Sequence, residues 1–110
     1  MSSRKDERVE RGSGNVYADL DRPDAEAQLL KAELVSRIDA IVRERRLTQA
    51  QAAAALGLSQ PDVSRLLRGN FRDYSMERLL RLLMALGRDV EIVIKKPRAR
   101  RPGRMKVEAA

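Results

Sequence analysis

The sequence predicts a mainly α-helical chain: a bundle of four to five helices with one C-terminal β-strand, flanked by disordered tails. Three observations carry that reading. Two long stretches place leucine and isoleucine at helical spacing. Between them lies a pair of short helix patterns separated by a glycine. After them comes a single β-branched run, Val90-Glu91-Ile92-Val93-Ile94, bounded by turn and proline signals.

Residues 1–15 are polar, charged and glycine-containing without a period, and are read as disordered. Asn15–Leu20 alternates too briefly to separate a short strand from an extended arm. Pro23 suits the first position of a helix, with Asp24 and Glu26 in its positively polarised first turn. Leu30, Leu34, Ile38, Ile41 and Val42 continue it to about Arg45, and Arg43, Arg45 and Arg46 sit at its negatively polarised end. Two short helices are expected over Gln49–Leu56 and Gln60–Arg68, with Gly69-Asn70 as a stop. Phe71 and Tyr74 lie in the following loop and are read as plugs on the core. Ser75 caps a fourth helix over Met76–Leu86, which Gly87 ends. Val90–Ile94 is the expected strand, stopped by Pro97. The domain limits are therefore 1–15 disordered, 16–94 folded and 95–110 a disordered basic tail.

The central stretch demands more than two helices. Ala53 is small where two crossing backbones approach, and Gly57 supplies the positive φ of a tight turn. Leu56, Leu58, Val63 and Leu66 are apolar where a steeply crossed pair buries itself. Thr48 with Gln51 three residues on forms a capping box, and Ser59 with Asp62 repeats the device with a shorter acid. These offsets describe a helix-turn-helix. A purely structural corner is the alternative. Against it, the second helix exposes Gln60, Ser64, Arg65 and Arg68, residues suited to bases and phosphates.

Composition narrows the chemistry. The 110 residues suffice for one domain, and 35% are charged, so the core is smaller than the length suggests. Cysteine and histidine are absent, which excludes disulfides, a Ser-His-Asp or Cys-His arrangement and a typical zinc site. No metal or cofactor is expected, and neither is an enzyme. The apolar runs are too short to span a membrane, and the first residues lack a secretory apolar core. A soluble cytoplasmic protein is the expectation. The net charge of +7 is uneven: residues 95–110 carry seven basic residues against Glu108 alone, while residues 47–88 carry six arginines against three acids.

These residues resemble the small DNA-binding domains of the lambda-repressor type, the XRE family. Leu47–Ala53 followed by Leu56–Ser64 is close to that pattern. A narrower likeness over about Asn15 to Ile94 is to antitoxins of the HigA type, carried by Asn15–Leu20, Pro23–Glu26, the motif, Arg68-Gly69 and Leu86–Ile92. The resemblance implies neutralisation of a RelE- or HigB-like toxin that cleaves messenger RNA, and repression of the chain's own operon. A stand-alone transcription regulator, with DNA as its partner, is the other reading, and a protein–protein adaptor a third. The resemblance also implies that Gln49 meets a phosphate and that Ser59, Gln60, Ser64 and Arg65 face the major groove. Pro61 sits among them, where several repressors carry a polar reading residue. Arg68 and Arg72 would meet the backbone. Glutamine and arginine make bidentate pairs with adenine and guanine edges, which supports the same division.

Two further partners are expected. One recognition helix reads a few base pairs, so a homodimer on two half-sites is anticipated. Residues 17–33 carry five acids against Arg22 and Lys31, and an RNA-cleaving toxin presents positive surface. Tyr17, Asp19, Leu20, Asp21 and Asp24 are the candidate toxin contacts. Val90, Ile92 and Ile94 need a strand partner, either Val16–Leu20, a second subunit or another protein, unless they lie as coil on the fourth helix.

Overall fold

A computed structural model describes residues 16–19, 23–97, 100 and 102–108. Leu20, Asp21 and the expected disordered segment 1–15 lie outside them. The element order is β1 (Val16–Asp19), α1 (Pro23–Glu44), α2 (Gln49–Leu56), α3 (Gln60–Leu67), α4 (Met76–Ala85) and β2 (Arg104–Val107). The fold class is the expected one, mainly helical with one C-terminal strand, and each helix lies within a residue of its expected limits.

The chain divides into two units. Leu34–Glu91 forms the first, the helical one. Its core is built from Leu34, Val35, Ile38, Ile41 and Val42 of α1, Ala52, Ala53 and Leu56 of α2, Val63 and Leu66 of α3, and Leu79, Leu82, Leu83 and Leu86 around α4. These are the positions that a 3.6-residue period directs to one side of each helix. α2 contacts both α3 and α4.

The helix ends explain the sharp corners. Thr48 Oγ1 accepts from the Gln51 N–H at 3.0 Å, and Gln51 Oε1 accepts from the Thr48 N–H at 2.8 Å, so the capping box is complete. Thr48→Ala is expected to cost about 1 kcal/mol, measured by the shift in denaturant midpoint. At the other end of α2, Gly57 has φ 71° and the Leu58 N–H closes on the Ala53 carbonyl. That left-handed step lets α3 depart steeply from α2. α1 ends by the same closure, with Leu47 N–H on the Val42 carbonyl and Arg46 N–H on Arg43. Here the left-handed residue is Arg46, at φ 52°. Its neighbour Arg45 donates from Nη1 to the Leu86 carbonyl at 3.0 Å, joining the end of α1 to the end of α4. Arg88 reaches Glu44 at 3.2 Å.

The second unit comprises residues to Glu33 with those from Ile92 on. It holds the two-stranded antiparallel sheet, in which Val16 faces Val107, Tyr17 faces Lys106, Ala18 faces Met105 and Asp19 faces Arg104. The strand expected at Val90–Ile94 does not form there. Residues 90–97 carry no strand, and Ile92, Val93 and Ile94 are exposed. β1 pairs instead with Arg104–Val107, inside the stretch expected to be a disordered tail. The reason is that a strand needs a partner for its backbone groups, and Arg104–Val107 finds one in β1.

Candidate nucleic-acid interface

α3 is eight residues long and amphipathic, with Val63 and Leu66 fully buried. Burying that side turns the other outward. Gln60, Pro61 and Arg65 are exposed and Ser64 is half-buried. Ser59 stands exposed at the N-cap, where its Oγ accepts from the Asp62 N–H at 3.2 Å. Its hydroxyl is thus engaged in capping. Pro61 lies in the first turn, where a missing N–H costs no helical hydrogen bond. Gln49 is the exposed first residue of α2, just beyond the capping box. Arg68 is the exposed C-cap of α3, and Arg72 is exposed in the loop after it.

The first turn of α3 departs from the expected capping box. Asp62 does not return to the Ser59 N–H. Its carboxylate takes the guanidinium of Arg65, with Nη2 to Oδ1 at 2.5 Å. The Arg65 hydrogen bond, followed by the Ser59 hydroxyl, holds the Asp62 carboxyl below its usual range. The group therefore stays charged at neutral pH. Its contribution to stability is present above the ordinary carboxylate range and is lost as acidification protonates it.

Arg78 is a second feature that inspection of the motif alone omits. Ser75 Oγ accepts from the Arg78 N–H at 3.0 Å, and the guanidinium lies over the Tyr74 ring, 4.4 Å from its centroid. Its charge reaches Asp62. The available signal was the four-residue spacing of an aromatic and a cation across a helix start. Arg65, Arg68, Arg72 and Arg78 thus give the α3–α4 segment exposed positive charge, with Asp62, Asp73 and Glu77 as the acids beside them.

The other candidate contacts fall elsewhere. Tyr17 and Asp19 lie in β1, and Asp24 lies in the first turn of α1. Val90, Ile92 and Ile94 are in no strand. Among the described residues no group of acids could hold a metal ion, and no helix is long and apolar enough to cross a membrane.

A family described as a helix-turn-helix domain matches residues 16–95. A solved structure described as an XRE family transcriptional regulator is 49% identical to this chain, with a TM-score of 0.74. The match covers 80% of this chain and 100% of that one. No curated protein matches the chain.

Proposed function

We propose a function from the premise that this chain belongs to the helix-turn-helix domain family and is an XRE-type protein. It is a DNA-binding transcriptional regulator. The observation that carries this is the outward side of α3, where Gln60, Ser64 and Arg65 stand together over the buried Val63 and Leu66. In our reading α3 enters the major groove, the N-terminus of α2 at Gln49 meets a phosphate, and Arg68, Arg72 and Arg78 hold the backbone. A short helix reads few bases, so the protein acts as a homodimer on two half-sites about 34 Å apart. We place this activity in the cytoplasm and assign the chain no catalysis. Selection from a randomised duplex library tests the reading. A defined, repeated half-site is expected, and recovery of no preferred sequence overturns it.

The finer reading is an antitoxin that neutralises a RelE- or HigB-like toxin and represses its own operon. The acids between Asp19 and Glu33, more material than DNA reading requires, support it. The stand-alone regulator is supported by the description of the similar solved structure. Co-expression with the product of the adjacent open reading frame separates them. If the acidic arm is the clamp, replacing Asp19, Asp21 and Asp24 together by asparagine, which keeps β1 in the chain, abolishes neutralisation. Undiminished neutralisation by that variant eliminates the clamp.

The basic stretch from Lys95 on has a separate role. β2 makes deletion of residues 95–110 a poor test, because it removes a strand. Lys96→Gln with Arg100→Gln leaves β2 in place, and both residues are exposed. The salt dependence of binding is expected to flatten by about 0.9 in slope for each phosphate that is no longer neutralised, with the preferred sequence unchanged. An unaltered slope shows that these cations do not reach DNA.

A further inference from the structure

The segment Asp89–Lys95 carries a feature that DNA reading does not use. Ile92, Val93 and Ile94 are 80%, 69% and 93% exposed in a β-branched run. From Asp89 to Lys96 no backbone group bonds to another described residue. Unpaired N–H and C=O groups beside exposed β-branched side chains form a template for another strand. β1 is already committed to β2.

The sequence of the segment selects the partner. We propose that it pairs antiparallel with the same segment of a second copy, about a two-fold axis through Ile92. An isologous pair of antiparallel strands must set one residue opposite itself. Centring on Glu91 opposes two like charges. Centring on Val93 sets Lys96 against Val90 and Pro97 against Asp89, and proline has no N–H for the ladder. Centring on Ile92 sets Val90 against Ile94 twice, Ile92 against itself, and Asp89 against Lys95 at both ends. One side of the ribbon is then wholly apolar over Val90, Ile92 and Ile94, and the charges fall on the other. Within the single chain Lys95 acts on Glu108, a carboxylate already held by Lys106. A ribbon of seven residues a side is smaller than the interface of a stable dimer, so the association is reversible and concentration-dependent. Adjacent half-sites then supply the remainder. The seam rests on the reading of the chain as a dimer.

The chain has no cysteine, so single-cysteine variants report the register directly. Facing residues in an antiparallel pair lie within disulfide reach. On oxidation, Ile92→Cys is expected to give a covalent dimer, and Ile94→Cys alone is not. An equal mixture of Val90→Cys and Ile94→Cys is expected to cross-link. Sedimentation of the unmodified protein is expected to show a monomer–dimer equilibrium that Asp89→Lys weakens and added Lys95→Asp restores. A dimer in sedimentation without a cross-link at position 92 overturns the seam but not the dimer. Equal cross-linking of Ile92→Cys and Ile94→Cys overturns the register. A monomer at every concentration, free and on DNA, overturns both, while sequence preference in the library selection still reports on α3 independently.

Discussion

Leu66→Ala is expected to destabilise the helical unit by about 2–5 kcal/mol. Leu66 is fully buried on α3, alongside Val63 and Leu79. Truncation there removes transfer free energy and leaves a cavity between short helices that have little surface to redistribute. Small domains have only about 5–15 kcal/mol of net stability, so the loss is a large share. Chemical denaturation followed by circular dichroism measures it as a lowered midpoint with an unchanged slope. DNA binding should fall in step, because Leu66 seats the helix that carries Arg65. Leu66→Met keeps the volume and is expected to cost less than about 1.5 kcal/mol and to leave binding intact. An alanine variant as stable as the parent rules out Leu66 as a determinant of the seat of α3.

Arg65→Ala is the second large effect, on binding rather than folding. Arg65 is exposed and its guanidinium is held by Asp62 one turn earlier. An arginine pre-set in this way loses less side-chain freedom when it reaches a guanine edge. Its loss is expected to cost about 1–3 kcal/mol on the preferred site and to relax the preference at one base position. Arg68→Ala should weaken all sequences nearly equally and lower the salt slope by about 1. Titration against the preferred site and single-base variants distinguishes the two. If Arg65→Ala retains the full base preference, α3 reads DNA without it.

Much of the helical unit was legible because its signals are local. The Thr48–Gln51 box, the Gly57 stop and the spacing of Leu79, Leu82, Leu83 and Leu86 each act within a turn or two of chain. The strand was misplaced because the choice is not local. Val90–Ile94 has the stronger β-forming residues, yet a strand needs a partner, and residue 16 pairs with residue 107. The end of α1 was expected from its charges, but the left-handed turn falls on Arg46, where no glycine marks it. The candidate DNA contacts were readable from the exposed side of α3. The direction of the Asp62 side chain was not: an acid three residues after a serine fits a capping box, and the same acid three residues before an arginine fits an ion pair.

The pairing of β1 with β2 has a kinetic consequence. Its ends are some ninety residues apart in sequence, whereas the helical unit closes largely through neighbouring elements. Low contact order favours early formation of the helices, and the ribbon must wait for a long closure whose entropic cost its few hydrogen bonds barely offset. A two-stranded ribbon is marginal by itself. Its amides are therefore expected to exchange first and to report sub-global opening while α1–α4 remain protected. A partner that competes for either strand meets this clasp at the low end of the molecule's stability spectrum, and can open it without melting the helices that read DNA.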